Sequence, residues 1–176
     1  MLTGYFLSRK ADFMLYVILA VVLIIVDQVT KYLTRAHIEL GESLPFVPRL
    51  LELTYIKNTG AAWSILEKHT WLLSVISAVI VLVILLMIYK KFFTNRIGML
   101  SATLIVAGGI GNLIDRVVFR YVTDMIKTIF MDFPVFNFAD CCITVGVVLL
   151  VIYILFFYTE DKKEEGHGTD LPTDGQ

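Results

Sequence analysis

Residues 97–116 read IGMLSATLIVAGGIGNLIDR, in which eighteen uncharged residues are followed by Asp115 and Arg116. This length approaches the ~20 residues that an α-helix needs to cross the ~30 Å hydrocarbon core of a bilayer. A carboxylate beside hydrocarbon loses hydration at a cost of roughly 2.5–3.5 kcal/mol, so its presence there indicates a use. The stretch therefore predicts a transmembrane helix whose end carries functional chemistry.

Three further segments have the same apolar character. Thr70 to Tyr89 contains twenty uncharged residues, Cys141 to Tyr158 contains eighteen, and fourteen more begin at Phe13. A composition of 57% hydrophobic and 18% charged residues leaves too little polar surface to cover a soluble globule. We predict an α-helical polytopic membrane protein, a single integral membrane domain over residues 1–158 with spans at about 13–33, 70–89, 97–115 and 140–158.

The first apolar segment has a competing interpretation as a cleaved signal peptide, because Arg9 and Lys10 precede it. No small-residue cleavage site leads into a polar mature start, so we predict an uncleaved helix. Four spans place both termini on one side, and short, basic-flanked connections such as Lys90 to Arg96 indicate the cytoplasm. Residues 159–176 are acidic and lack apolar periodicity, which predicts a disordered cytoplasmic tail.

A β-rich external loop is predicted at about residues 40–60, since the chain alternates there. The alternation would put Leu51, Leu53 and Tyr55 on one face of a strand, with Glu52, Thr54 and Ile56 on the other. Ala61 to His69 carries an indole among small and polar residues. This segment predicts a short amphipathic helix in the membrane interface, with a plain loop as the alternative.

Two groups of polar residues occur within the apolar spans. Asp27 and Lys31 are one helical turn apart, which predicts an ion pair and an interfacial helix end. Asn112, Asp115 and Arg116 share a helix face at spacings of three and four residues. We expect Arg116 to hold Asp115 in a charge-assisted pair that Asn112 completes. A carboxylate held in this way stays ionised, so Asp115 is predicted to be structural.

Two other aspartates are free to converge. Asp124 follows Asp115 by nine residues, half a turn out of phase on a straight helix, so the chain should leave the helix first. Alternation from Val122 to Ile126 predicts an extended segment. Asp140 directly precedes the last uncharged span, where a plain N-cap is the alternative role. Together, two facing carboxylates could share one proton and activate water.

The chain resembles the lipoprotein signal peptidases, or signal peptidase II, over nearly its whole length apart from the two ends. Five motifs occur in the family's order: Asp27-Gln-Val-Thr-Lys31, Asn58-Thr-Gly-Ala-Ala-Trp-Ser64, Gly108 to Arg116, Val122-Thr-Asp124 and Phe136-Asn-Phe-Ala-Asp140. The resemblance implies four transmembrane helices, a small extracytoplasmic β-cradle and a short amphipathic interfacial helix. It also implies a bacterial cytoplasmic membrane protein with its active site at the extracytoplasmic face.

By this resemblance the chain is an aspartic endopeptidase. Its expected substrate is a diacylglyceryl-modified bacterial prolipoprotein, cut just before the lipidated cysteine, with membrane lipid as a further partner. The implied catalytic dyad is Asp124 and Asp140. Residues implied to bind substrate or support the site are Asn58, Gly60, Asn112, Arg116 and Asn137, and those assigned to a structural polar network are Asp27, Lys31 and Asp115.

The chain departs from the family pattern at a few positions next to these motifs. Thr123 stands where a second valine is common, and Met125 stands where phenylalanine is frequent. Cys141 and Cys142 follow the aspartate where small residues are usual. None of these differences removes a proposed catalytic group.

Other classes of function remain as alternatives at this point. The carboxylates and Arg116 could form the ion path of a small ion-coupled transporter, or they could join helices in a non-enzymatic scaffold. The two cysteines and three histidines lack a metal-ligand spacing, so no metal and no cofactor are expected. The basic residues form no clustered stripe, which argues against nucleic acid. We expect a monomer.

Overall fold

Four long helices and three short strands make up the part of the chain that the computed structural model describes, residues 2–60 and 70–158 with side chains from residue 12 onward. The helices are α1 (Leu2–His37), α2 (Thr70–Tyr89), α3 (Arg96–Phe119) and α4 (Phe138–Phe156). The strands are β1 (Ser43–Val47), β2 (Leu51–Asn58) and β3 (Val122–Thr128). The predicted interfacial helix at 61–69 and the predicted disordered tail at 159–176 lie outside the described residues.

All four helices are long and apolar enough to cross a membrane, which confirms the predicted fold class. In α1 this stretch covers Asp12–His37, about one turn beyond the end expected near residue 33. Helices α1, α2 and α4 expose rows of large apolar side chains, as lipid-facing helices do. Helix α3 lies among them and is the most buried, since each of the other three packs against it.

Small residues on α3 allow this close packing. A Cβ at Gly108 would collide with the carbonyl oxygen of Ala139 in α4, and a Cβ at Gly111 would lie 2.5 Å from Asp27 Oδ2 in α1. Helices in lipid associate through such close backbone approach, because apolar surface alone does not distinguish protein from lipid. The glycines therefore bring α1 and α4 against one end of α3, where the polar residues of all three helices meet.

The apolar core lies toward the opposite end of the bundle. It centres on Tyr153 of α4, which is fully buried against Val81, Ile84 and Phe93. The Tyr153 hydroxyl donates to the backbone carbonyl of Phe92 at 2.8 Å, so the buried phenol has a partner. This end of the bundle is packed with aromatic side chains and leaves the polar end to build the site.

The strands form one antiparallel sheet in the order β1-β2-β3. The predicted alternation of β2 is wrong at its centre, because Thr54 and Tyr55 are both buried. The register against β3 shifts between Leu53 and Ile56, and such a bulge lets two consecutive side chains turn inward. Strand β3 is the predicted extended segment that carries Asp124. It pairs with β2 and so joins the sheet formed by the loop at residues 40–60.

The chain after β3 folds back along that strand. Phe136 exchanges backbone hydrogen bonds with Ile126, with the Ile126 N–H donating at 2.8 Å and the Phe136 N–H donating at 3.1 Å. Asn137 follows directly and begins α4. This bridge therefore places the first turn of α4, and with it Asp140, beside the strand that holds Asp124.

We predict that Gly108→Ala destabilises the protein far more than Gly109→Ala. The added methyl at 108 meets the backbone of Ala139, whereas at 109 the only close atom is a γ-methyl of the Val81 side chain. An added group costs about 1–3 kcal/mol when the backbone that it meets cannot move away. Thermal unfolding in detergent measures the difference, and equal melting temperatures for the two variants would show that the α3–α4 contact tolerates expansion.

Candidate active site

Asp124 and Asp140 line one cavity of about 660 Å³ at the polar end of the bundle. Asp124 comes from β3 and is 2% exposed, while Asp140 comes from the first turn of α4 and is partly buried. Asn58, Asn112 and Arg116 line the same cavity. The structure thus brings together candidate residues that lie up to 82 positions apart in the chain, from Asn58 to Asp140.

Both carboxylate oxygens of Asp124 accept hydrogen bonds from asparagine amides. Asn58 Nδ2 donates to Oδ2 at 2.8 Å, and Asn137 Nδ2 donates to Oδ1 at 2.6 Å. Gly60 supports this arrangement, since its backbone N–H donates to Asn58 Oδ1 at 2.9 Å and thereby turns the Asn58 amide nitrogen toward Asp124. The strand aspartate is held from β2 and from the start of α4 at once.

Burial is the largest influence on the pKa of Asp124. Loss of hydration raises the pKa of Asp124 to about 7, and the nearby Asp140 carboxylate adds to the rise. The amide donors of Asn58 and Asn137 act in the opposite direction, because they favour the ionised form, but they do not outweigh burial. Asp124 can therefore carry a proton near neutral pH, as a general acid must.

Asp140 has a different environment at the start of α4. The alternative role of Asp140 as an N-cap is wrong, because Asn137 occupies that position with an extended backbone. Asn137 Oδ1 accepts the Asp140 N–H at 3.0 Å, and Asp140 Oδ2 accepts the Asn137 N–H at 3.1 Å, which completes a capping box. The helix N-terminus and the Asn137 N–H both favour negative charge on the Asp140 carboxylate.

Asn112 connects the cavity to a buried lysine. Its Oδ1 accepts from Lys31 Nζ at 2.9 Å and from Asn137 Nδ2 at 3.2 Å, and its Nδ2 donates to Asp140 Oδ1 at 2.7 Å. An ammonium can only donate, so it selects the amide oxygen and turns the amide nitrogen toward Asp140. The expectation that Asn112 completes an Asp115–Arg116 network is therefore wrong.

The predicted Asp115–Arg116 pair is also absent among the described residues. Asp115 Oδ1 lies 3.7 Å from Arg35 Nη1, and its Oδ2 lies 3.9 Å from Lys31 Nζ. Consecutive helix residues point about 100° apart, so Arg116 instead faces the cavity. Its buried Nε has no hydrogen-bond partner among the described residues.

Asp27 and Asp115 hold the two candidate catalytic segments in parallel ways. Asp27 Oδ1 accepts the backbone N–H of Ala139 at 2.9 Å, one residue before Asp140. Asp115 Oδ2 accepts the backbone N–H of Thr123 at 2.8 Å, one residue before Asp124. Each structural carboxylate thus anchors the backbone of the residue directly before one member of the dyad.

Lys31 joins these two carboxylates. The predicted Asp27–Lys31 ion pair forms at 2.9 Å, and its side chains, 2% and 0% exposed, lie between helices. The pair is covered because Gly111 lets α1 approach α3 closely. The side chain of Lys31 contacts Asp27, Asn112 and Asp115, so one ammonium links both halves of the site.

Two residues of this network were not among the predicted site residues. Arg35 Nη1 donates to Thr123 Oγ1 at 2.8 Å, and Thr123 is fully buried. Arg35 follows Lys31 by four positions, so both share a helix face, and that spacing was the available signal.

Within the described ranges, no group of three or more histidine, cysteine or acidic side chains is arranged to hold a metal ion.

Comparison with known proteins shows the family of the chain. The family model described as signal peptidase (SPase) II matches residues 19–156. A lipoprotein signal peptidase of Enterococcus faecalis is 42% identical over 159 residues, which is 88% of this chain and 96% of that protein. One from Anoxybacillus flavithermus is 39% identical over 155 residues, 87% of this chain and 90% of that protein. The chain belongs to the signal peptidase II family.

Two solved structures, both described as bacterial membrane enzymes determined by the in meso method, share the fold. One has a TM-score of 0.76 at 36% identity and covers 80% of this chain and 87% of its own. The other has a TM-score of 0.74 at 37% identity and covers 81% and 93%. The chain is a multi-pass cell membrane protein of a protease family, and the transporter alternative finds no support.

We predict that Lys31→Met strongly destabilises the protein. The change leaves two buried carboxylates without their shared cation, and breaking a buried pair from one side costs about 3–5 kcal/mol. Lys127→Met is the matched control, because Lys127 pairs with Glu52 at 2.9 Å while both side chains are partly exposed. The control should lose at most about 1 kcal/mol. Equal unfolding midpoints for both variants would remove Lys31 from its linking role.

Proposed function

We propose that this protein is an aspartic endopeptidase that removes the signal peptide from diacylglyceryl-modified bacterial prolipoproteins, cutting just before the lipidated cysteine. Membership of the signal peptidase II family and the names of the relatives support the substrate class. The observation that carries the proposal is the shared cavity of Asp124 and Asp140. One of these carboxylates is desolvated on a strand, and the other lies at a helix N-terminus.

The two environments suit opposite roles in hydrolysis. Two nearby carboxylates cannot both ionise cheaply, so the pair shares one proton at working pH. The raised pKa of Asp124 favours the proton there, which leaves Asp140 as the base. Asp140 takes a proton from a water molecule while the water oxygen attacks the scissile carbonyl carbon, and Asp124 donates its proton to the carbonyl oxygen.

Breakdown of the tetrahedral intermediate reverses these proton positions. Asp140 passes its new proton to the leaving nitrogen as the carbon–nitrogen bond breaks, and Asp124 recovers a proton from the hydroxyl that becomes the carbonyl. The dyad ends in its starting state, so no cofactor is consumed.

Arg116 faces the same cavity with a buried Nε that lacks a partner among the described residues, and this donor is available to a substrate carbonyl oxygen.

The walls of the cavity fit a substrate that is partly lipid. Leu73 and Ile76 of α2 contribute apolar surface on one side, and Ile143 and Val145 of α4 contribute it on another. Acyl chains could remain in the bilayer while the peptide reaches the dyad from the side. We place the site at the extracytoplasmic face of the bacterial cytoplasmic membrane, with cytoplasmic termini and a monomeric protein.

We predict that Asp124→Asn and Asp140→Asn each lower the rate of cleavage by roughly 10²–10⁴-fold, because each removes one proton-transfer step. The assay uses purified protein with a diacylated prolipoprotein and follows release of the signal peptide. Asp132→Asn is the matched control, since this exposed aspartate lies eight residues from each member of the dyad. Cleavage at the parental rate by either dyad variant would refute the aspartic mechanism.

The dependence of kcat/KM on pH provides a second prediction. Above about pH 7 the rate should fall, because Asp124 loses the proton that it donates. On the acid side the rate should fall when the pair takes up a second proton and no base remains, which gives a bell-shaped profile. Asn58→Ala removes a donor that favours the ionised form of Asp124, so it should move the alkaline limb to higher pH. A flat profile in both proteins would contradict a shared proton.

A further inference from the structure

Arg35, Asp115 and Thr123 form a closed set of contacts beside the strand that carries Asp124. Arg35 Nη1 donates to Thr123 Oγ1 at 2.8 Å and lies 3.7 Å from Asp115 Oδ1. Asp115 Oδ2 in turn accepts the backbone N–H of Thr123 at 2.8 Å. Thr123 is thereby held by its side chain and its backbone at once, from α1 and from α3.

The Arg35 guanidinium is itself fixed in place. Its central carbon lies 4.4 Å from the centre of the Phe119 ring at the end of α3. The side chain is 18% exposed, and stacking on an aromatic face suits the weakly hydrated, planar guanidinium. Arg35 therefore joins the last turn of α1 to the last residue of α3 and to the start of β3.

The charge of Asp115 also stabilises the Arg35 guanidinium in this position. Asp115 Oδ1 is buried and accepts no hydrogen bond among the described residues. The Arg35 guanidinium, at 3.7 Å, is the cation placed against that oxygen, while Lys31 lies near the other oxygen. A buried carboxylate requires such compensation, so Arg35 and Asp115 hold each other in position.

The ladder between β2 and β3 is irregular where Asp124 needs support. The register shift between Leu53 and Ile56 falls opposite Asp124 and Ile126, and a bulge locally disrupts backbone pairing. Thr123 and Asp124 point to opposite faces of β3, because side chains alternate along a strand. The two hydrogen bonds that hold Thr123 therefore set the rotation of the strand about its axis. This rotation determines the direction of the Asp124 carboxylate.

We propose that Arg35 is a positioning residue for the reaction, which acts through Thr123 to aim Asp124 at the cavity that Asp140 shares. The inference rests on the proposed catalytic role of Asp124.

Substitutions at Thr123 test the contact with little change in volume. Thr123→Val removes the acceptor and keeps the shape and the backbone N–H, so kcat should fall about five-fold while KM stays near the parental value. Thr123→Ser keeps the acceptor and should retain the parental kcat. Thr34→Val is the matched control, because its buried hydroxyl donates only within α1, to the Thr30 carbonyl at 2.9 Å.

Arg35→Gln completes a double-mutant cycle. Alone it should lower kcat about ten-fold, because it also leaves Asp115 Oδ1 without the cation that faces it. Combined with Thr123→Val, the loss should be smaller than the product of the two single losses, since both variants remove the same contact. Melting temperatures in detergent separate a loss of positioning from a loss of folded protein.

The outcomes distinguish this inference from the proposed function. If Asp124→Asn is inactive while Thr123→Val and Thr123→Ser both keep the parental kcat, Arg35 does not position the acid and the endopeptidase proposal stands. Fully multiplicative losses in the double variant would show that Arg35 and Thr123 act independently, which also refutes the inference. If Asp124→Asn cleaves at the parental rate, the proposed function itself fails.

Discussion

The ammonium of Lys31 is the interaction on which the rest of the polar end depends. It is fully buried and contacts Asp27 of its own helix and both Asn112 and Asp115 of α3. An unpaired charge in this environment would cost several kcal/mol, so the helices must keep the positions that supply its partners. Because Asp27 also holds the peptide before Asp140, and Asp115 holds the peptide before Asp124, the same constraint extends to the candidate dyad.

Structural charge and proposed catalytic charge are separated by asparagines. Asn58 and Asn137 hold Asp124, and Asn112 holds Asp140, through amide groups whose donors do not titrate. A lysine or arginine in those positions would pull the carboxylates toward full ionisation. Amide donors orient Asp124 and still allow burial to raise its pKa to about 7, which is what proton sharing between two carboxylates requires.

Much of the fold was predictable because long apolar runs report helices directly. The spans, the strand character of the loop at residues 40–60 and the extended segment at Asp124 all follow from hydrophobic patterns that depend on local periodicity. The bulge at Thr54 and Tyr55 did not follow, because it arises from pairing with β3, which lies some seventy residues further along the chain. The N-cap at Asn137 did not follow either, because asparagine and aspartate both cap helices and the extended backbone at residue 137 decides between them.

The sequence alone determined the membrane-spanning class, the order of the motifs and the separate segments that carry Asp124 and Asp140. Run length, composition and spacing along the chain carry that information. Only the tertiary structure decided which cation meets which carboxylate. Spacing paired Asp115 with Arg116, yet the folded protein gives Asp115 to Lys31 and Arg35 and turns Arg116 toward the cavity. Ion partners in a buried site are chosen by the packing of α1 against α3, which glycines permit and which no single helix encodes.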